Sequence, residues 1–324
     1  MRAFARVALL AGGLAALAAI AAWAFIRELD QPGPLSQERI VLLEPGSGAR
    51  AIATRLQAAG VVRNAVLFRL AARYLGRARA LRPGEYAFSP AVTLRQVITK
   101  LADGDVVVRK LTIPEGWTSY QIVAALRAND ALRGDPGDVP PEGSLFPTTY
   151  FYSYGDSRAG LLERMRRKMR AELEALYPAR AKGLPLKSPE QAVIMASLIQ
   201  MEAGNEAEMP VIASVFYNRL KKGMRLQSDP TVIYGLTKGR GALGRALRSR
   251  DLRQPMPHNT YVIAGLPPTP ISNPGRAALL AALHPASTSY LYFVADGSGG
   301  HVFARSLKEH NRNVLKWRRL KKAG

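Results

Sequence analysis

The sequence predicts an α+β fold in three parts: an N-terminal transmembrane helix, a small α+β module, and a larger α+β domain with one acidic residue on a buried helix. Three observations predict it. Residues 7–26 are apolar and uncharged, between Arg2 and Arg6 on one side and Arg27 and Glu28 on the other. A strand–turn–helix pattern occurs twice, at residues 41–56 and again at 111–126. A nearly all-apolar run, AVIMASLIQM, ends on Glu202. The predicted boundaries are 1–29 for a cytoplasmic tip and anchor, 30–38 for a linker, 39–109 for the small domain and 110–324 for the large one.

At helical rise, the apolar run 7–26 is roughly 30 Å long, the thickness of a bilayer's hydrocarbon layer. Basic flanks stay on the cytoplasmic side, so the rest of the chain is expected outside. A cleaved signal peptide is the competing reading, helped by Ala21 and Ala22, but the run exceeds a usual signal core. The chain carries 46 Lys+Arg against 24 Asp+Glu, a net charge of +22. Such a charge points to anionic partners and says nothing of fold. An exported domain does not meet nucleic acid, which leaves anionic lipid and wall polymer. With no Cys, thiol catalysis, disulfides and thiolate metal sites are excluded.

Pro32, Gly33 and Pro34 mark the linker. Residues 39–43 read as a strand, 44–48 as a turn, and 49–58 as a helix with Ile52 and Leu56 on one face. Residues 83–86 open a second strand, and Thr93 starts a helix whose Val97, Ile98 and Leu101 face a core. In the second copy of the pattern, Gly116 answers Gly46, Ile122 answers Ile52 and Leu126 answers Leu56. Residues 134–143 read as a loop, and the aromatic run 143–154 as core or as sugar-facing surface. A basic amphipathic helix follows at 159–181, with Leu162, Met165 and Met169 as its apolar stripe. Residues 308–322 form a basic, solvated C-terminal helix.

The chemistry concentrates between residues 188 and 234. Ser188-Pro189-Glu190-Gln191 is a strong helix start: a capping Ser, Pro in the first turn, and Gln at the third position for a capping box. Glu202 closes this helix, with Met195, Leu198 and Ile199 on its side. Apolar surroundings raise a carboxyl's pKa, and the negative end of the helix dipole pushes the same way. A carboxylic acid still protonated near neutrality suits general-acid cleavage of a glycosidic bond. Periodicity alone leaves open a second reading, in which the helix frays and Glu202 points to solvent. Glu206 and Glu208 sit in the first turn of the next helix, where the dipole favours them. Asp229 before Pro230 reads as a helix cap, or as a second carboxylate for hydrolysis.

The stretch ASLIQMEAGNEAEMPVIASVFYNRLKKGMRLQSDPTVIYG resembles the signature of the endolytic murein transglycosylase, or YceG-like, family. HNTY at 258–261, GLPP at 265–268, ISNPG at 271–275, HPA at 284–286 and YLYFVADGSGGH at 290–301 resemble it too. The likeness runs from about Arg39 to the C-terminus. It implies that residues 39–109 are a LysM-like domain beside a catalytic domain, with the family's catalytic Glu at Glu202. Members often carry another Glu two residues earlier, where this chain has Gln200. The resemblance implies a lytic reaction on peptidoglycan strands. Glu202 protonates the bond from N-acetylmuramic acid to N-acetylglucosamine. It then takes the proton of the same muramyl residue's C6 hydroxyl, giving a 1,6-anhydro end. The resemblance also implies an inner-membrane location and work beside wall-synthesis enzymes.

Asn218, Gln227, Ser228, Asp229, Tyr234, Asn259 and Tyr261 are the candidates for contacts to sugar hydroxyls and acetamido groups. No cofactor is expected. His258, His284 and His301 make no helical metal motif, so no metal is expected; His301 is read as support for a hairpin turned at 296–300. Two alternatives stand beside the lytic enzyme: a hydrolytic muramidase using Glu202 with Asp229, and a non-catalytic, membrane-anchored wall-binding protein.

Overall fold

A computed structural model describes residues 2–323, with side chains placed for residues 9–321. It divides into two compact units, one running to Arg109 and including Tyr152–Gly155, the other made of Lys110–Phe151 and the chain from Asp156 onward.

The chain begins with α1 (Arg2–Leu29), whose segment Leu9–Leu29 is long and apolar enough to cross a membrane. Leu10, Leu14, Leu17, Ile20 and Trp23 are exposed, so this face packs on no protein. Among the described residues the helix is held at its C-terminal end. Leu29 is fully buried, and Phe25 meets Tyr74 edge-on at 5.6 Å.

In the first unit, β1 (Arg39–Leu43) leads through the turn glycine Gly46, at φ +83°, into α2 (Ala49–Ala58). Next comes α3 (Ala65–Tyr74), an element absent from the sequence reading although Asn64 caps it by accepting from the Val66 and Leu67 N–H groups. Then follow β2 (Gly84–Phe88) and α4 (Leu94–Asp103), the latter started by a Thr93–Gln96 capping box. β1 and β2 pair antiparallel, Arg39 opposite Phe88 and Leu43 opposite Gly84. Their inner side chains, Val41, Leu43, Tyr86 and Phe88, share a core with Ile52, Leu56, Phe68, Val97, Ile98 and Leu101.

β3 (Val108–Thr112) pairs with the later β4 (Thr149–Ser153), and between them lies α5 (Ser119–Arg127). Gly116, at φ +80°, makes the turn before α5 as Gly46 does before α2. Of the aromatic run, Phe146, Tyr150 and Tyr152 are buried and Phe151 is exposed, so the run is largely core.

The rest of the second unit is mostly helical: α6 (Arg158–Leu176), α7 (Pro189–Glu202), α8 (Met209–Lys221), α9 (Asp229–Thr237), α10 (Ser249–Leu252) and α11 (Arg276–Leu283). α6 ends earlier than residue 181, because Pro178 enters a short 3-10 turn there. A hairpin of β5 (Tyr292–Ala295) and β6 (His301–Ala304), then α12 (Leu307–Ala323), complete it. α7 lies at the centre, touching α8, α9 and α11, with every residue from Ala192 to Ile199 buried. Its one polar core residue, Ser197, is satisfied twice. It donates to the Ile194 carbonyl and accepts from the Ile271 N–H.

The capping box expected at residues 188–191 forms in altered shape. Ser188 accepts from the Gln191 N–H, but Gln191 reaches past Ser188 to the Lys187 N–H. Asp229 does not cap α9. The cap position falls on Ser228, and the Asp229 carboxylate turns away to accept from the Tyr261 hydroxyl.

Candidate active site

Glu202 is the last residue of α7. Ala203 leaves the helix with extended backbone, and Asn205 then caps a 3-10 turn over Glu206–Glu208 that feeds α8. The buried helix thus delivers a carboxyl to the floor of a cavity of about 400 Å³. Gln227, Asp229, Tyr261, Tyr292, Phe293, Arg219, His301 and His310 are among its walls.

Glu202 is half-buried and opens on this cavity. Ser228 donates its hydroxyl to Glu202 Oε1 at 2.6 Å. Loss of hydration pushes the Glu202 pKa up to about 7. The Ser228 hydrogen bond opposes this, the Asp229 charge adds to it, and His301 and Arg219 pull it back. The fraying reading therefore fails on geometry. The side chain is held by a buried neighbour, not released to bulk water.

Ser228 is fixed in turn. It is 1% exposed, and its N–H donates to the Thr260 hydroxyl. The preceding residue, Gln227, is in the left-handed region at φ +53°, a costly backbone for a non-glycine. That bend sets Gln227 in the wall and Ser228 beneath it, facing Glu202. Tyr261 donates to Asp229 Oδ1 at 2.6 Å, and burial raises its phenol pKa, so it stays neutral.

Arg219, at 7% exposed, is spread over backbone carbonyls. Nε donates to Leu291, and Nη1 to Leu226. Its guanidinium lies 5.1 Å from the Tyr292 ring centre, and Tyr292 stacks on His310. The Glu208 carboxylate receives His301 twice, from its N–H and against Nδ1, each at 2.8 Å.

Of the seven residues proposed from sequence to contact sugar, Gln227, Asp229 and Tyr261 stand in the cavity wall. Ser228 lies behind the wall and touches Glu202. Three others lie elsewhere. Asn218 donates to the Thr288 and Tyr290 carbonyls and ties α8 to the segment before β5. Asn259 is fully buried, with its amide donating to the Leu252 and Gln254 carbonyls. Tyr234 packs edge-on against His258 at 4.9 Å. Arg219, Glu208, Tyr292, Phe293 and His310 were not read as site residues. Their role depends on contacts between segments far apart in sequence, and nothing in their local pattern marks it. Among the described residues no cluster of His, Asp or Glu has the arrangement of a metal site.

The arrangement, a carboxyl with a pKa near 7 at the floor of a polar cleft with aromatic walls, is one that can both give and take a proton. The model of the YceG-like family matches residues 41–316, and the chain belongs to that family. It is 35% identical to a Bacillus subtilis protein named endolytic murein transglycosylase, over 84% of this chain and 82% of that one. A Streptococcus pneumoniae protein of the same name is 27% identical over 83% of this chain, which spans 56% of the pneumococcal length. The crystal structure of a yceG-like protein from Listeria monocytogenes superposes with a TM-score of 0.51 at 32% identity, covering 85% of this chain and 98% of that one.

Proposed function

We propose that this chain is an endolytic peptidoglycan lytic transglycosylase with Glu202 as its acid and then its base. One observation carries the assignment of Glu202: its carboxyl lies at the cavity floor with a pKa near 7, restrained by Ser228. Protonated Glu202 donates to the oxygen between N-acetylmuramic acid and N-acetylglucosamine. As that bond breaks, positive charge builds at C1. The Glu202 carboxylate, steadied by the Ser228 hydroxyl, takes the proton of the C6 hydroxyl of the same muramyl residue. O6 then bonds to C1 and leaves a 1,6-anhydro end. The nucleophile is already attached to the reacting sugar, so orientation supplies much of the rate. Gln227 and Tyr261 stand where they can meet sugar hydroxyls, and Tyr292 and Phe293 offer ring surface.

Asp229 shares the cavity, which is the observation favouring a hydrolytic muramidase instead. Mass spectrometry of digested peptidoglycan separates the two. Anhydro ends are expected from the wild type and no products from Glu202→Gln. Reducing ends without anhydro sugar would replace the lytic reading with the hydrolytic one. We further propose that residues 1–29 anchor the chain in the bacterial inner membrane, with the catalytic unit outside, and that residues 39–109 are a LysM-like wall-binding domain. The exposed apolar face of α1 supports the anchor. Family resemblance supports the LysM-like reading and action beside wall-synthesis enzymes. No cofactor, metal or nucleic acid enters this scheme.

A further inference from the structure

The proposed chemistry leaves the Glu208–His301 pair without a role. The pair is well built. The two side chains are 18% and 13% exposed, so this is no loose surface ion pair. Glu208 binds both the backbone N–H and the ring Nδ1 of His301, fixing where the residue sits and how its ring is turned. Phe293 meets the ring edge-on at 5.3 Å.

The chain around the pair is shaped to keep it there. A Cβ on Gly300 would lie 2.7 Å from Glu208 Oε1. A Cβ on Gly204, just after Glu202, would collide with the Gly299 carbonyl oxygen. Glycines at both places let the hairpin tip seat directly on the segment that follows Glu202. His301 therefore holds a fixed place in the wall of the Glu202 cavity.

Facing a carboxylate, Nδ1 carries a ring proton, which leaves Nε2 to hydrogen-bond a ligand. Among the described residues Nε2 has no hydrogen-bond partner. We propose that His301, oriented by Glu208, positions the substrate, with Nε2 hydrogen-bonded to a hydroxyl of the sugar bound beside Glu202. The identity of that sugar rests on the lytic reading above; the role of Nε2 rests on the geometry of the pair.

The test is binding of solubilised peptidoglycan glycan strands to the full chain carrying Glu202→Gln, so that nothing is cleaved. Into this parent go His301→Asn and His301→Gln. The Asn amide reaches the place of Nδ1 and keeps the bond to Glu208 but has nothing at Nε2. The Gln amide reaches the place of Nε2. Binding is expected to weaken about tenfold with Asn and to recover in part with Gln. In the otherwise wild-type enzyme, His301→Asn is expected to raise KM with little change in kcat. Binding by the Asn variant within about twofold of the parent overturns the proposal. So does a Gln variant no better than Asn, or a parent that binds no strand. Wild-type products lacking anhydro ends would sink the lytic reading alone and leave this comparison standing.

Discussion

Two glutamates in the second unit have their pKa pushed up to about 7 by burial, Glu202 and Glu142. Glu142 Oε2 accepts from the N–H of Ser119, the first residue of α5, where the helix dipole welcomes an acid. The same oxygen lies beside the Asn273 amide, which also donates to the Trp117 carbonyl and accepts from the Leu145 N–H. Glu142 is thus built into a joint between backbone segments. Glu202 ends a helix, where the dipole opposes its charge, and it is held by one side-chain hydroxyl. Burial raises both, so a raised pKa does not by itself mark a catalyst. What differs is the company: for Glu142 the Ser119 N–H and the Asn273 amide of a structural joint, and for Glu202 a cleft whose walls hold the ionisable groups Asp229, Arg219 and His301.

The largest test of this contrast is rate. Glu202→Gln removes the transferable proton and should lower kcat by about 10³ or more, whereas Glu142→Gln keeps an acceptor for the Ser119 N–H and should stay within a few-fold of wild type. Steady-state cleavage of glycan strands checks both. Equal losses would mean that the two acids act together.

The next test moves the site without touching its acid. Gly204→Ala drives a methyl into the Gly299 carbonyl, so the hairpin must lift. Stability should fall by about 1–3 kcal/mol in denaturant melts, with KM rising as the His301 wall retreats. Unchanged KM would show that the hairpin tip plays no part in the cleft.

Smaller effects concern the alkaline limb of the rate profile, set where Glu202 loses its proton. Ser228→Ala deletes a bond to the charged form, so the limb should move to higher pH. Asp229→Asn deletes a charge that raises the Glu202 pKa, so the limb should move to lower pH. Each shift is on the order of half a pH unit to one unit in kcat/KM profiles. Movement in the same direction for both would refute the assigned neighbours. Neither change should alter Glu142.

The smallest test is stability against pH. Both glutamates have folded pKa values near 7, above the ordinary value of 4.5. The folded state keeps these protons while the unfolded chain releases them. The stability they confer is therefore complete below about 4.5 and lost as pH rises through 7. The gain in Tm from Glu202→Gln or Glu142→Gln should be larger at pH 8 than at pH 5, by a few °C. A gain that does not vary with pH would show that neither carboxyl is held protonated.

The same contrast shows what local pattern carries. α7 could be read because Ser188, Pro189 and a run apolar on every face all speak of one buried helix. The two turns at Gly46 and Gly116 could be read because each glycine sits between a strand-like and a helix-like run. α3 was missed although Asn64 caps it, since its apolar residues are interleaved with Arg69 and Arg73 and no glycine or proline directly flanks it. Asp229 was misplaced because a carboxylate before proline looks like a cap whatever lies across from it. Its true partner, Tyr261, is set by tertiary packing. Asn259 looked available to ligand by residue type, yet three-dimensional closure of the Ser249–Leu252 helix around it claims its donors. Glu208 and His301 are joined across 93 positions of sequence, and pairing of that kind leaves no mark on spacing.

The order in which the cleft's walls occur along the chain has its own consequence. The acid, on α7, comes early; Gln227, Asp229 and Tyr261 come later; the hairpin and His310 of α12 come near the end. Synthesis runs in that order, and helices as local as α7 form before distant contacts close. A nascent chain therefore holds Glu202 without the walls that shape its cavity. The cavity around Glu202 is complete only once the hairpin and α12 have emerged and folded back.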